Sequence, residues 1–139
     1  MTTIPGPLLS ATVTILALLF YFFSAMRVGN LRGRLGIKAP ATVGHETFER
    51  AYRVQLNTLE QLGLFLPLLW IDTFFPIRLG WLAPLLGLIW VAGRVVYSRA
   101  YMNDPEKRLI GAASSGLVNA ALFVLAILGV ARAWMQVGF

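Results

Sequence analysis

Residues 1–26 and 109–131 contain no charged side chain. Each run exceeds the roughly 20 residues that an α-helix needs to cross the hydrocarbon core of a bilayer. A chain built this way folds with lipid as its solvent. Its 58% hydrophobic content and mean hydropathy of +0.71 say the same, and place it with integral membrane proteins. Residues 79–93 are also apolar, and that span lengthens if its helix continues through Arg94 towards Tyr101. The apolar stretch 61–71 is too short alone, so it crosses only if the polar segment 49–60 belongs to the same helix. The expected fold is therefore all-α: one transmembrane domain over 1–139, an antiparallel bundle with helices near 6–28, 46–74, 79–102 and 107–134.

The first apolar run is too long for the core of a secretory signal and no basic segment precedes it, so it reads as a retained helix. Gly29 and Gly33 are the expected stop of that helix, and the Ala39-Pro40 pair is expected to be extended. Pro76 marks the second connection, and Asn103-Asp104-Pro105 reads as a tight turn with Pro105 starting the last helix. Pro67 falls inside the second helix and is expected to kink it. The absence of cysteine excludes disulfides and a cysteine nucleophile, so any thiol chemistry here would use a ligand's sulfur. His45 has no neighbours at metal-ligand spacing and reads as a surface residue. No metal and no nucleic-acid partner is expected.

Ten of the 12 Lys and Arg residues lie in or beside the first and third connections; only Arg78 and Arg132 lie towards the other side. The positive-inside bias puts those connections in the cytoplasm and both termini outside. Compact loops suggest a bacterial cytoplasmic membrane. Topology and lipid headgroup contact explain Arg27, Arg34, Lys38 and Lys107 sufficiently.

The polar segment 49–60 needs another reason, because ionisable groups at membrane depth are costly and usually mark a site. On a helix Arg53, Asn57 and Glu60 fall at i, i+4 and i+7, within about 60° of one another. One face thus carries a cation, an amide and an anion in a row, a pattern suited to a small zwitterion. Arg94, Tyr97 and Tyr101 make a second row at i, i+3 and i+7, and Arg108 follows the Pro105 turn. Taken singly, these tyrosines suit a membrane interface and such arginines snorkel. Two rows near one end suggest instead a shared polar cleft between them. Glu49 and Arg50 read either as part of its mouth or as partners of nearby residues. Asn119 reads as an interhelical hydrogen bond, Asp72 as an outer-interface residue near Arg78, and Ser114 and Ser115 with their small neighbours as a close helix contact. The tryptophans read as interfacial anchors, with Trp90 a candidate for the core.

The run Phe48-Glu49-Arg50-Ala51-Tyr52-Arg53-Val54-Gln55-Leu56-Asn57-Thr58-Leu59-Glu60 resembles the helix-two signature of the membrane-associated eicosanoid and glutathione metabolism (MAPEG) family. Gly93-Arg94-Val95-Val96-Tyr97-Ser98-Arg99-Ala100-Tyr101-Met102-Asn103-Asp104-Pro105-Glu106-Lys107-Arg108 is similar to its helix-three-to-four signature. The stretches Asn57-Thr58-Leu59-Glu60 and Asp104-Pro105-Glu106-Lys107-Arg108 look most like the microsomal glutathione transferase type 3 branch. The resemblance covers nearly the whole chain.

It implies a homotrimer with glutathione bound between neighbouring subunits. Arg53, Asn57, Glu60, Arg94, Tyr97 and Tyr101 would hold the tripeptide from one subunit, and Arg32 and Gln55 would reach in from the next. Gln55 lies about 160° round the helix from Asn57, which agrees with a site shared across an interface. Arg108 matches the arginine credited with holding the glutathione thiolate. Arginines suit the two carboxylates of glutathione and Glu60 its ammonium, while a guanidinium beside the thiol favours the nucleophilic thiolate. The implied activity is conjugation to hydrophobic electrophiles, or reduction of lipid hydroperoxides, with the second substrate entering from the surrounding membrane lipid. Gln61 stands where leukotriene-forming relatives carry an aromatic, which weakens any transfer of their substrate preference. A non-catalytic lipid-binding or scaffold protein on the same fold is the alternative, and a small transporter a third. Arg53, Glu60 and Arg108 favour the enzyme, because the family's accessory branch lacks that full pattern.

Overall fold

A computed structural model describes residues 6–138, the side chains of Arg108 and Ile110 excepted. Four helices follow one another: α1 (Gly6–Arg34), α2 (Glu46–Phe74), α3 (Leu82–Asn103) and α4 (Leu109–Val137), with a single 3₁₀ turn (Pro105–Arg108) leading into α4. At about 1.5 Å per residue, α3, the shortest, is still about 33 Å long and matches a bilayer core. Among the described residues, α1 and the stretch Pro105–Val137 combine that length with the hydropathy of a membrane span. Their outward faces carry large exposed apolar side chains, such as Ile15, Phe23, Leu117 and Ile127.

Helix ends differ from expectation where the local chemistry decides them. α1 runs on through Gly29 and Gly33, and stops at Gly36, whose φ is +65°. There the Ile37 N–H donates to Arg32 O at 3.1 Å and the Gly36 N–H to Gly33 O at 3.4 Å. That pair of bonds, around a glycine in the left-handed region, is the Schellman stop. The Ala39-Pro40 pair lies in a turn rather than an extended segment, with the Ala41 N–H donating to Lys38 O at 3.0 Å. At the start of α2, His45 accepts from the Thr47 N–H through Nδ1 at 3.2 Å, and Glu49 reaches back to the Gly44 N–H at 2.8 Å. The exposed histidine is thus a helix cap. Pro67 leaves α2 a single element from Glu46 to Phe74. α3 begins at Leu82, three residues later than expected, after a turn in which the Leu82 N–H donates to Leu79 O.

The helices pack as an antiparallel bundle. The start of α1 meets the end of α2 through a hydrogen bond between Ser10 and Thr73 at 2.7 Å. The middle of α2 meets the middle of α3 where the rings of Phe65 and Trp90 stack 4.2 Å apart. Trp90 is therefore a core residue. Val13 and Ala17 of α1, Leu62 and Leu69 of α2, and Val118, Leu122 and Ala126 of α4 close around that pair. α4 approaches α3 most closely at glycine: a Cβ on Gly111 would come within 2.5 Å of the Tyr97 backbone, and one on Gly93 would overlap the Ser114 hydroxyl. Asn119 donates to Gln61 at 2.8 Å, tying α4 to α2 as expected of a polar group between helices.

Asp72 lies near the end of α2, as expected, and lines a cavity together with Arg78, but its side chain is turned inward. It is 5% exposed, while Arg78 is exposed, and no partner of either carboxylate oxygen is found among the described residues. The reason is angular: Asp72 lies three and four residues after the buried Leu69 and Leu68, on the core side of α2.

Candidate functional site

α2 presents two unlike faces. Ala51, Val54, Thr58, Leu62 and Phe65 recur at helical spacing and are buried in the bundle. Arg53 and Glu60 are exposed on the outward side, with Asn57 half-buried between them. Neither Arg53 nor Glu60 has a hydrogen-bonding or ionic partner among the described residues. The two charges stand two helical turns apart, about 10 Å along the axis, too far to satisfy one another.

The row on α3 goes the other way. Arg94 is 1% exposed and its Nη2 donates to the Thr58 hydroxyl at 2.9 Å, which in turn donates to Val54 O at 2.7 Å. The guanidinium also lies over the Tyr97 ring, 4.2 Å from its centroid. Tyr97 is 3% exposed, and the half-buried Tyr101 follows it with ring centroids 5.6 Å apart. The sequence reading had the two rows facing one another across a cleft. Within one chain they do not: α3 packs on the Val54–Thr58 side of α2, roughly 100–140° round the helix from Arg53.

Arg32 sits at the end of α1, where Nη1 donates to Ala41 O at 2.8 Å and the guanidinium lies 4.8 Å from the centroid of the Phe48 ring. It braces the first connection against α2. Gln55 is half-buried, away from the Arg53 row. Arg108 ends the 3₁₀ turn, and its side chain lies outside the described ones. The nine sequence-derived residues therefore occupy the half of the bundle nearest the first and third connections, from the helix ends at Arg32 and Arg108 to mid-helix at Glu60 and Arg94. Thr58 was missed, since nothing in a lone threonine announces which helix it will face. Arg50, left between two readings, makes an ion pair with Glu46 and donates to the Met102 and Asn103 carbonyls.

The family model described as MAPEG family matches residues 10–128. This chain belongs to the MAPEG family. Like other MAPEG proteins it is a membrane protein. It is 42% identical over 120 residues to an uncharacterized protein of Synechocystis sp., covering 86% of each chain. It is 31% identical over 129 residues to human microsomal glutathione S-transferase 2, covering 93% of this chain and 86% of that protein. With bovine leukotriene C4 synthase it shares 34% identity over 121 residues, covering 87% and 79% respectively. Of these relatives, one is thus named as a glutathione S-transferase and one as a leukotriene synthase.

Proposed function

We propose that this MAPEG member is a membrane-bound glutathione-dependent enzyme that conjugates hydrophobic electrophiles to the thiol, reduces lipid hydroperoxides with it, or does both. The observation that carries the reading is the outward row Arg53–Asn57–Glu60, left unpartnered by its own chain. Charges on the outer face of a lipid-embedded bundle need cover, because hydrocarbon solvates them poorly. A second copy of the chain with glutathione between the two would supply it. Arg53 would bind a carboxylate of the tripeptide, Glu60 its ammonium, and Asn57 a backbone amide. Arg32 and Gln55 would approach from the neighbouring subunit of a homotrimer. All four helices would then cross the bilayer, with the site and the long connections at the cytoplasmic face.

Arg94, Tyr97 and Tyr101 serve the same site from behind α2. Arg94 holds Thr58, and thereby the facing of α2, while the tyrosines wall the end of the bundle where Arg108 emerges. Arg108 acts through charge and not as a base, since arginine stays protonated. A thiolate formed beside it attacks the electrophilic carbon, makes the C–S bond and expels the leaving group. The second substrate reaches the sulfur from the lipid side.

The test uses purified protein in detergent. Added glutathione should bind and develop thiolate absorbance, followed by turnover of a generic aromatic electrophile and of cumene hydroperoxide. Arg108→Ala should keep the tripeptide bound and suppress the thiolate. Binding without either turnover would favour a non-catalytic MAPEG member, and absence of binding would remove the glutathione site altogether.

A further inference from the structure

Arg50 stands one turn before Arg53 on α2, but its side chain bridges helices. Nη1 donates to the carbonyl oxygens of Met102 at 3.0 Å and Asn103 at 3.1 Å, and Nη2 pairs with the Glu46 carboxylate. Met102 and Asn103 are the last two residues of α3. Their carbonyls belong to the set that a helix leaves without internal partners, and a cation there also meets the negative end of the helix dipole. Beyond them the chain turns at once. The Asp104 N–H closes on Ala100 O at 2.8 Å, Asp104 Oδ1 accepts from the Glu106 N–H at 3.1 Å, and the Lys107 N–H donates to Asp104 O at 3.0 Å. The next residue is Arg108. A short, internally bonded turn is thus anchored to α2 at its first residue.

We propose that Arg50 is a positioning residue: it fixes the α3–α4 turn, and with it Arg108, relative to the tripeptide-holding face of α2. This rests on the reading of Arg108 as the arginine that holds the thiolate. Arginine suits the task because its planar fork grips two carbonyls with one nitrogen and a carboxylate with another, which the point charge of lysine does not do. Glu46 is more exposed than Arg50, so the carbonyl grip, not the ion pair, carries the effect. Placement matters because a group misplaced by about 1 Å loses on the order of a hundredfold in rate.

Calorimetric glutathione binding, thiolate absorbance against pH, and kcat and KM for an aromatic electrophile test this on the full chain in detergent. Wild-type protein that binds glutathione without forming thiolate overturns the Arg108 reading and this inference with it. Given a wild-type thiolate, Arg50→Gln should keep the glutathione Kd within about threefold and lower kcat by about tenfold or more. It should also move thiolate formation about one pH unit upward. Glu46→Gln, which leaves the carbonyl fork, should match the wild type within about twofold. Arg50→Lys should fall between Arg50→Gln and wild type, and carries the test if Arg50→Gln does not fold. A thiolate titration in the Arg50 variants that superposes on the wild type overturns the inference. So does a loss of binding as large as the loss of kcat.

Discussion

Arg94 answers a hydroxyl and an aromatic ring in the bundle interior, not a carboxylate. A guanidinium taken out of water needs its protons bonded, so the Thr58 hydroxyl has a larger role than an isolated threonine suggests. Thr58→Val keeps the shape and removes the acceptor. It should lower stability by about 1–3 kcal/mol, the usual effect of stranding a buried donor, measured as unfolding in detergent. Unchanged stability would mean that Nη2 has another acceptor and that Thr58 does not orient α2. The Arg53–Asn57–Glu60 row was legible from spacing alone, because charge at 3.6 periodicity in an apolar chain has few explanations. The direction of Arg94 was not, since the same periodicity places it on a face without saying which neighbour that face meets.

At the scale of helices, glycine divides into three kinds that composition cannot separate. Gly36 stops α1 because it adopts positive φ. Gly29 is an expected stop by sequence, yet α1 passes through it with open space where a Cβ would stand. Gly29→Ala should therefore stabilise by about 0.5–1 kcal/mol, through helix propensity alone. A destabilised Gly29→Ala would show that this face of α1 is covered in the assembled protein. Gly111 is a crossing point: its Cβ would press on the Tyr97 backbone, which cannot rotate away. Gly111→Ala should then cost about 1–3 kcal/mol and disturb Tyr97, the expected price of overpacking. Near-UV circular dichroism of the tyrosines alongside the melt would read both effects. Helix positions and polar rows were legible in the sequence, and α2 matches its expected 46–74 bounds because a histidine cap and an acidic first turn frame it. The late stop of α1 was not, because a Schellman stop depends on the φ of one residue among three nearby glycines.

The bundle turns Arg53 and Glu60 outward without partners among the described residues, which an isolated helix bundle in lipid tolerates poorly. On the proposed reading the single chain carries half of a site. A ring of copies would complete it only through a heterologous interface, in which the Arg53 face of one chain would meet the Arg32 end of the next. That geometry gives a result no single-chain site can give. Arg53→Ala and Arg32→Ala proteins should each lose glutathione binding when assembled alone. Co-expressed in equal amounts, they would form mixed rings. A competent site then needs Arg53 from one chain and Arg32 from its neighbour, which random assembly supplies at about a quarter of the interfaces. Calorimetric stoichiometry on the mixed protein should recover that fraction at wild-type affinity, since each restored site is chemically complete. If both residues served a site within one chain, every chain in the mixture would carry a damaged site and no wild-type affinity would return. The mixed rings therefore separate a shared site from a private one even before the second substrate is identified.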